Sequence, residues 1–377
     1  MSTDGFYPTP GMGTPEARGG LAAAFFDEAI SSLTSPLTTP ELFKYSELLT
    51  ASLRKNMKDA TSLSMLPSFI DDLPTGQETG RAVAIDIGGS TMRFALVDLY
   101  GQREEASPSP SAPGASPDDK QYDLPPSQRL GIITQRQWEI TQRVKELNGE
   151  LFFDWIARNV KEAILEAGLD YQQGFGVGLV WSFPLEQTSL NDGELREMGK
   201  GFKVGVQLKG RRLKECMDSA FARMHLSLEL DAIINDSIGP LLALAYTKPR
   251  TGVGLVVGTG FNASIKLPAL SLTAEKYGHR PSRWRDSAKH VLVDAELCVI
   301  GRNIFHQTVW DDQITALFPR PDSLALEQWI GGFFMAEIVR RILLQAAQAN
   351  LLFGGNTPEK LQQERMIGLE VFGDIEA

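Results

Sequence analysis

Residues 83–101 read VAIDIGGSTMRFALVDLYG, an apolar run that ends near Asp86, turns at Gly88 and Gly89, and continues as a second apolar run. Glycine lets the backbone approach a ligand closely, and the exposed amides of a tight turn suit an anion. The same letters also predict an ordinary β-hairpin with a Gly-Gly turn. This stretch supports both interpretations, so the choice depends on the rest of the chain.

The composition is that of an ordinary globular protein. Its 377 residues suffice for two domains, each with its own core. The formal net charge of −10 argues against a duplex nucleic-acid binder, which needs a basic face. Small anions remain possible ligands because local amides and single cations bind them despite a negative total charge. We therefore expect small-molecule ligands and no nucleic-acid partner.

The sequence contains few residues of the kinds that build disulfide or metal sites. Two cysteines imply no disulfide framework, and four histidines form no pair at metal-ligand spacing. The first twenty residues lack the basic and apolar segments of a secretory signal. No apolar run approaches the roughly 20 residues that a bilayer crossing requires. The expected compartment is the cytoplasm, with no membrane partner.

Helical and strand-like patterns alternate along the chain. Apolar residues spaced by three and four predict helices over 21–33, 40–57 and 151–169. Short apolar strands alternate with helices from residue 174 to residue 267, and a long helical pattern covers 326–353. This alternation predicts an α/β fold.

Two segments differ in composition from the rest. Residues 1–19 are rich in Gly, Pro and Thr and are expected to form a flexible tail. Residues 102–128 are of low complexity and proline-rich, which predicts a solvated surface insertion. The alternative, suggested by the Ser-Pro pairs of this insertion, is a phosphorylated regulatory loop that binds a regulatory protein partner.

Polar residues interrupt three apolar strands at their ends, where ligands bind in α/β sheets. At the first end, a phosphate-binding turn would use the amides of Gly88, Gly89 and Ser90, with the Ser90 hydroxyl and Arg93 as further donors. Asp86 is a candidate to hold a hydrated Mg²⁺ through water, although no firm metal ligand is predicted. The Walker A pattern is absent because no Gly-Lys-Ser/Thr follows.

The other two strand ends each support two interpretations. Gly258, Thr259 and Gly260 separate two apolar runs and predict either a second phosphate-binding hairpin or an ordinary tight turn. Asn235 and Asp236 end another apolar run directly before a helix, as helix-capping residues do. The functional alternative is a general base at Asp236, with Asn235 orienting the same substrate.

Taken together and in this order, these segments resemble the hexokinase family of ATP-dependent sugar kinases. The resemblance covers most of residues 20–360. It is carried by SLSMLPSFIDDLPTGQETG (62–80), GLVWSFPLEQTSLNDGELREMGKGFK (178–203), AIINDSIGPLLALAY (232–246) and GLVVGTGFNASI (254–265).

The resemblance implies a two-domain α/β fold of the actin-like, ribonuclease-H-like type, in which a cleft between the domains closes on sugar and nucleotide. Residues 20–247 would form the N-terminal part and residues 248–377 the C-terminal part. Family members continue with a Gly-rich adenosine-binding segment, so the expectation is a second domain that is incomplete. The implied substrates and cofactors are a hexose, ATP and Mg²⁺.

The same resemblance implies roles for single residues. Asp236 stands where the family has the base that deprotonates the sugar 6-hydroxyl, and Lys200 stands at a catalytic, sugar-contacting position. Nucleotide contacts are implied for the two Gly-rich turns. Sugar contacts are implied for Ser182, Asn235, Asn262, Glu296 and Glu327.

Some substitutions depart from the family pattern. Gly199 replaces a Thr and removes a hydroxyl, and Thr91 replaces an Asn in the first turn. Cys298 replaces the Gly two residues after Glu296, and losing Gly at a close-approach turn is expected to displace that carboxylate. The basic segment 275–290 has little family likeness. The sequence therefore predicts a hexose 6-kinase, with a catalytically impaired sugar sensor or regulatory protein as the alternative.

Overall fold

Two β-sheets with helices packed on them form the structure, a computed structural model that describes residues 15–101, 129–198, 201–204, 208–278, 280, 282–301, 303–317, 324–364, 366–368 and 371. The strands are Leu66–Pro67 (β1), Thr79–Ile87 (β2), Thr91–Tyr100 (β3), Leu130–Glu139 (β4), Phe175–Trp181 (β5), Leu185–Ser189 (β6), Asp192–Leu195 (β7), Leu228–Ile234 (β8), Val253–Val257 (β9), Phe261–Pro268 (β10) and His290–Asp294 (β11). The α-helices are Pro15–Thr34 (α1), Thr39–Asn56 (α2), Gln142–Lys145 (α3), Glu150–Glu166 (α4), Leu213–Arg223 (α5), Ile238–Thr247 (α6), Ser282–Ser287 (α7), Val309–Thr315 (α8), Ala325–Ile330 (α9), Gly332–Gln348 (α10) and Glu359–Gln362 (α11). Short 3₁₀ turns span Ala269–Ser271, Glu275–Tyr277, Leu297–Val299 and Phe353–Gly355.

The opening stretch forms β2 and β3 of a five-stranded sheet with the order β4-β3-β2-β5-β8. Strands β2, β3 and β4 pair antiparallel, whereas β2, β5 and β8 run parallel. In β2 the side chains of Val83, Ile85 and Ile87 are buried, while Ala84 and Asp86 face the other way and are more exposed. This alternation is that of a half-buried strand. The hairpin interpretation of the Gly-Gly turn is therefore confirmed.

Helices α4 and α5 cover this sheet. Phe152, Ile156 and Val160 of α4 are completely buried in a core shared with Leu179 of β5. The sequence also predicts Leu151 on the buried face of α4, but its side chain is 56% exposed. The buried stripe begins one residue later because a helix turns about 100° per residue, which carries Leu151 away from the sheet.

The second sheet has the order β1-β11-β10-β9, and all of its pairings are antiparallel. Its core includes Met65, Val291 and Val293. Helix α6 directly follows β8 of the first sheet and packs Leu241 against Leu292 of β11. The end of β8 is thereby held beside the second sheet, and the predicted α/β class is confirmed.

The C-terminal helical pattern is divided. The sequence predicts one helix over 326–353, but the structure breaks it at Gly331, where the backbone is extended with ψ at 130°. A Cβ atom on Gly331 would lie 2.7 Å from the carbonyl oxygen of Glu327. Gly331 therefore allows a close turn that a side chain would obstruct, so α9 ends at Ile330 and α10 begins at Gly332.

Two expectations concern the chain's less regular segments. Helix α1 begins at Pro15, so residues 15–19 belong to a helix and not to a flexible tail. The proposed insertion at 102–128 lies outside the described residues, as do residues 1–14. Within the part of the chain that the structure describes, no helix combines the length and apolar character needed to cross a membrane.

Candidate functional site

The carboxyl ends of three parallel strands meet at one edge of the five-stranded sheet. Ile87 of β2 pairs with Trp181 of β5, and Val180 pairs with Ile234 of β8. The amide of Ser182 donates to the carbonyl of Ile87 at 3.2 Å. This geometry brings together the segments that bear Asp86, Ser182, Asn235 and Asp236, as expected for a ligand site in an α/β sheet.

One of the amides predicted to bind an anion at the first Gly-rich turn is already hydrogen-bonded within the chain. The amide of Gly88 donates to the carbonyl of Thr91 at 2.9 Å, so Gly88 has no free donor for a phosphate. No hydrogen bond among the described residues engages the amides of Gly89 and Ser90. The carbonyl of Ser90 accepts from the amide of Ile140 at 2.8 Å and fixes the turn against the end of β4.

Arg93 and Asp86 neutralise each other beside this turn. They face each other across β2 and β3, and Nη1 of Arg93 lies 2.8 Å from Oδ2 of Asp86. Both side chains are partly exposed to solvent. An anion at this turn would therefore compete with Asp86 for Arg93, and a hydrated cation would compete with Arg93 for Asp86.

Asn235 orders the turn after β8, but the N-cap residue of α6 is Ser237, not Asn235 or Asp236, and no side chain caps this helix. Oδ1 of Asn235 accepts from the amide of Ser237 at 2.7 Å, and its carbonyl accepts from the amides of Ile238 and Gly239, both at 3.2 Å. Asp236 lies between these residues and is half-buried. These local bonds order the segment between β8 and α6 and thereby hold Asp236 at the edge of the sheet.

Asn262 organises the end of the second sheet. Its Nδ2 donates to Oδ1 of Asp294 at 2.9 Å and to Oε1 of Glu296 at 3.3 Å. Its Oδ1 accepts from the amides of Ala263 at 2.7 Å and Leu297 at 3.2 Å. Because every polar atom of this buried side chain has a partner, Asn262 acts here as a rigid connector between the two carboxyl groups.

Glu296 has an unusual backbone conformation, and hydrogen bonds fix both oxygens of its side chain. Its φ is 43°, in the left-handed region that non-glycine residues rarely adopt. Its Oε1 accepts from Asn262, and its Oε2 accepts from the thiol of Cys298, with Sγ and Oε2 separated by 3.1 Å. Cys298, which stands where the family pattern has a Gly, thus donates to the carboxylate that this substitution was predicted to displace.

Burial and neighbouring carboxylates alter the acid–base behaviour of this end of the sheet. Burial raises the pKa of Asp294 well above its usual range, and the carboxylate of Glu296 raises that pKa further. Burial also raises the pKa of the Cys298 thiol, again reinforced by Glu296. Cys298 is therefore a thiol at neutral pH.

Ser237 connects the two sheets. Its hydroxyl donates to Oδ1 of Asp294 at 3.1 Å, and its carbonyl accepts from the hydroxyl of Ser264 at 2.7 Å. Ser237 directly follows Asp236, so the residue beside the predicted base is bonded to the cluster that holds Glu296. Neither Ser237 nor Asp294 was among the predicted site residues. Asp294 had a detectable signal, because it ends the apolar run VLVD as Asp86 ends AVAID.

The second Gly-rich turn is fastened to the C-terminal helices. The amides of Gly332 and Phe333, at the start of α10, donate to the carbonyls of Gly258 at 2.8 Å and Thr259 at 3.1 Å. Oε2 of Glu327 accepts from the amide of Phe261 at 3.2 Å. Glu327, predicted as a sugar contact, therefore also supports the hairpin that the sequence associates with phosphate.

Lys200 and Gly199 lie outside the described residues, so their predicted roles have no structural counterpart. Among the residues that are described, no group of three or more His, Cys, Asp or Glu side chains could hold a metal ion. The donors at the first turn nevertheless suit the phosphates of a magnesium–nucleotide complex, which needs one or two carboxylates and several amides.

Comparison with known proteins adds a family assignment. Family models described as hexokinase match residues 30–246 and 252–377. N-acetylglucosamine kinase 1 of Candida albicans is 26% identical over 355 residues, which are 89% of this chain and 66% of that protein. Hexokinase-2 of the same organism is 27% identical over 312 residues, 81% of this chain and 58% of that protein. The chain thus spans less than two thirds of the length of these relatives.

Solved structures agree on the fold. A hexokinase from Schistosoma mansoni complexed with glucose superposes with a TM-score of 0.73 at 23% identity, covering 94% of this chain and 74% of that protein. A second hexokinase crystal structure gives a TM-score of 0.58 at 25% identity, with 94% of this chain and 67% of that one covered. At these identities the likeness concerns the fold.

Proposed function

The chain belongs to the hexokinase family, and on that premise we propose that it transfers the γ-phosphoryl group of ATP to the 6-hydroxyl of a glucose-like hexose. The observation that carries this proposal is the bond between Ser237 and Asp294. This bond holds the strand end bearing Asn235 and Asp236 against the cluster of Asn262 and Glu296. A hexose bound by these amide and carboxylate groups would have a base beside it.

In this proposal Asp236 removes the proton of the hexose 6-hydroxyl as that oxygen attacks phosphorus. Asn235, Glu296 and Glu327 bind the remaining hydroxyls, for which planar amide and carboxylate groups are suitable partners. Asn262 holds Glu296 in place, and it would contact a sugar hydroxyl only by exchanging one of its four bonds within the chain. Phosphoryl transfer depends chiefly on positioning and on neutralising charge, so residues that only orient the sugar contribute much of the rate. Ser182 and Lys200 complete the proposed sugar contacts.

The nucleotide would lie at the two Gly-rich turns. The amides of Gly89 and Ser90 would face its phosphates, together with the turn at Gly258, Thr259 and Gly260, of which the first two residues are exposed. Arg93 would help to neutralise them once released from Asp86, and Asp86 would hold the hydrated Mg²⁺. Mg²⁺ bound with ATP supplies positive charge that stabilises the transferred group.

The experiment measures hexose 6-phosphate formed by the purified chain from MgATP with glucose and, separately, with N-acetylglucosamine, in view of the Candida relative's name. Asp236→Asn keeps the shape of the side chain but removes the base, and we expect turnover to fall about 10²–10⁴-fold. The matched control is Asp231→Asn, an exposed aspartate on the same strand, which should retain the wild-type rate. Equal turnover in the two variants would contradict the role of Asp236.

One observation favours a second candidate, a sugar sensor that binds hexose without transferring phosphate. Both oxygens of Glu296 already accept hydrogen bonds, from Asn262 and Cys298. A sugar hydroxyl would have to share this carboxylate with Asn262 and Cys298. Such sharing favours a sugar-binding geometry that differs from that of an active kinase. Glucose binding measured by calorimetry without turnover in the wild-type chain would support the sensor. The absence of both binding and turnover would exclude both functions.

A further inference from the structure

The thiol of Cys298 is a buried polar group to which the proposed reaction gives no task. Cys298 is 8% exposed and lies in the 3₁₀ turn Leu297–Val299, shortly after the end of β11. It stands where the family pattern has a glycine, which has no side chain. Cysteine therefore adds a hydrogen-bond donor at a position where that pattern has none.

This donor is directed at the carboxylate of Glu296. Sγ of Cys298 lies 3.1 Å from Oε2 of Glu296. A carboxylate offers only acceptors, so the thiol is the donor of this bond. Burial, together with the charge of Glu296, raises the pKa of the thiol, which keeps the proton on sulfur at neutral pH.

Asn262 holds the other oxygen of the same carboxylate. Its Nδ2 donates to Oε1 of Glu296 at 3.3 Å, and its Oδ1 accepts from the amide of Leu297 at 3.2 Å. The carboxylate is thus bound on one oxygen from β10 and on the other from the turn that follows it. Donors on both oxygens fix the rotation of the group, whereas Asn262 alone would leave Oε2 free to turn away.

The turn that bears Cys298 lies between two elements of the sugar site. Helix α9, which carries Glu327, and strand β10, which carries Asn262, both pack against this turn. The left-handed backbone of Glu296, with φ at 43°, begins the turn, and the amide of Val299 donates to the carbonyl of Glu296 at 3.3 Å. The thiol is therefore held on a fixed segment beside the carboxylate to which it donates.

The two bonds leave Glu296 able to bind a further group. A carboxylate accepts about four hydrogen bonds, and Asn262 and Cys298 account for one on each oxygen. A sugar hydroxyl can thus donate to a carboxylate whose orientation is already set. Such preorganisation strengthens binding because less conformational freedom is lost when the ligand arrives.

We propose that Cys298 is a positioning residue of the sugar site: its thiol donates to Glu296 and holds this carboxylate in the orientation that accepts a hydroxyl of a bound hexose. Asn262 is its counterpart on the other oxygen. The sugar-binding part of this inference rests on the proposed function, whereas the bond between thiol and carboxylate does not. The role applies to an active kinase and to a sugar sensor alike, because both bind the hexose.

The test compares Cys298→Ala, Cys298→Ser and the control Cys216→Ala. Alanine keeps Cβ and removes the donor, whereas serine keeps a donor of similar size. Cys216 is a matched control because it is also a buried thiol but belongs to the core between α5 and the five-stranded sheet.

Calorimetric titration with glucose gives the first readout. We expect Cys298→Ala to bind about three- to tenfold more weakly, the net value of one hydrogen bond. Cys298→Ser should restore affinity to within about twofold of wild type, and Cys216→Ala should bind like wild type. In turnover, the alanine substitution should raise KM for glucose far more than it lowers kcat, because Glu296 holds the sugar equally in the ground state and the transition state.

A second readout observes the bond itself and needs no sugar. The S–H stretching band lies in an infrared region with few other protein absorptions, and a hydrogen bond from the thiol lowers its frequency. The band of Cys298 is the one that disappears in Cys298→Ala and persists in Cys216→Ala. We expect this band to move to higher frequency in Glu296→Gln, because an amide replaces the charged acceptor.

The outcomes separate the two proposals. Wild-type glucose affinity in Cys298→Ala, or an equal loss in Cys298→Ala and Cys298→Ser, would overturn the positioning role and leave Cys298 as a residue that only fills space. A Cys298 band that does not move in Glu296→Gln would overturn the bond. Absence of glucose binding in wild type, together with the expected infrared shift, would overturn the proposed function and the positioning role while leaving the bond established.

Discussion

The hydroxyl of Ser237 lies 3.1 Å from Oδ1 of Asp294, and this hydrogen bond joins residues 57 positions apart in the chain. Ser237 stands at the end of the five-stranded sheet and Asp294 at the end of the second sheet. The bond therefore links the segment of the predicted base to the segment of the predicted sugar-binding carboxylate.

Replacing Ser237 by Ala should lower the free energy of unfolding by about 1 kcal/mol, the net value of one buried hydrogen bond. The loss is moderate because Asn262 still donates to Asp294. Urea denaturation measures it. Ser287→Ala is the control, since its exposed hydroxyl bonds only the nearby carbonyl of Trp284, and its effect should stay within about 0.5 kcal/mol. Equal losses in both variants would show that the Ser237 bond contributes nothing.

Gly254 should tolerate no side chain. A Cβ atom there would lie 2.7 Å from Oγ of Ser264, 2.8 Å from Cβ of Leu241 and 2.8 Å from the carbonyl oxygen of Ser237. Gly254→Ala should therefore destabilise the protein by about 1–3 kcal/mol, the usual cost of overpacking. Thermal unfolding measures the change. Gly252→Ala, two residues earlier with open space around it, should unfold like wild type.

Gly260 should affect the sugar site more than the fold. A Cβ atom at this position would lie 2.8 Å from Oε2 of Glu327, the flexible end of a side chain. Gly260→Ala should displace that carboxylate and weaken glucose binding by about tenfold or more, the value of one charge-assisted hydrogen bond. Stability should change by less than about 1 kcal/mol.

Calorimetric titration with glucose checks the Gly260 prediction. Gly258→Ala is a close control, because it lies in the same turn and a Cβ atom there meets nothing within 4 Å. Wild-type affinity in Gly260→Ala would mean that Glu327 does not contact the sugar.

Both cysteines should be unreactive in the folded protein. Burial raises the pKa of Cys216 to about 11 and also raises the pKa of Cys298. The thiolate is the reactive form, so alkylation of the native protein at mildly alkaline pH should be far slower than in urea. Intact mass after iodoacetamide treatment measures this. Rapid single labelling of the native chain would show that one of the two environments is open.

The alternation of Val83, Ile85 and Ile87 around Asp86 was sufficient to predict a strand, because a period of two in burial is a local property of the sequence. The order of the glycine-rich and Asn-Asp segments was sufficient to indicate the family. The break at Gly331 was not predicted, since the helical pattern continues through it and the break depends on contact with Glu327.

The basic segment 275–290 shows a similar limit. Its charges suggested only a departure from the family pattern, yet Nζ of Lys276 donates to the carbonyls of Asp59 at 3.0 Å and Ser62 at 2.8 Å. Arg280 donates to the carbonyl of Pro67 and stacks on the ring of Phe69 at 4.0 Å. Its burial lowers its pKa to about 10. These cations fasten the connector before β2, a role that no charge pattern specifies.

The sequence by itself predicted the opening hairpin, several further strands between residues 174 and 267, most of the longer helices, and the polar strand ends at which a ligand site would form, because periodicity and turn residues act over a few neighbouring positions. It did not predict β4 and β11, which the structure adds to the two sheets. Only the tertiary structure decided that Arg93 pairs with Asp86, that Cys298 donates to Glu296, and that Asp294 accepts from both Ser237 and Asn262. Hydrogen bonds and pKa shifts of this kind depend on burial and on distances between residues far apart in the chain, and those distances are set by the packing of the two sheets.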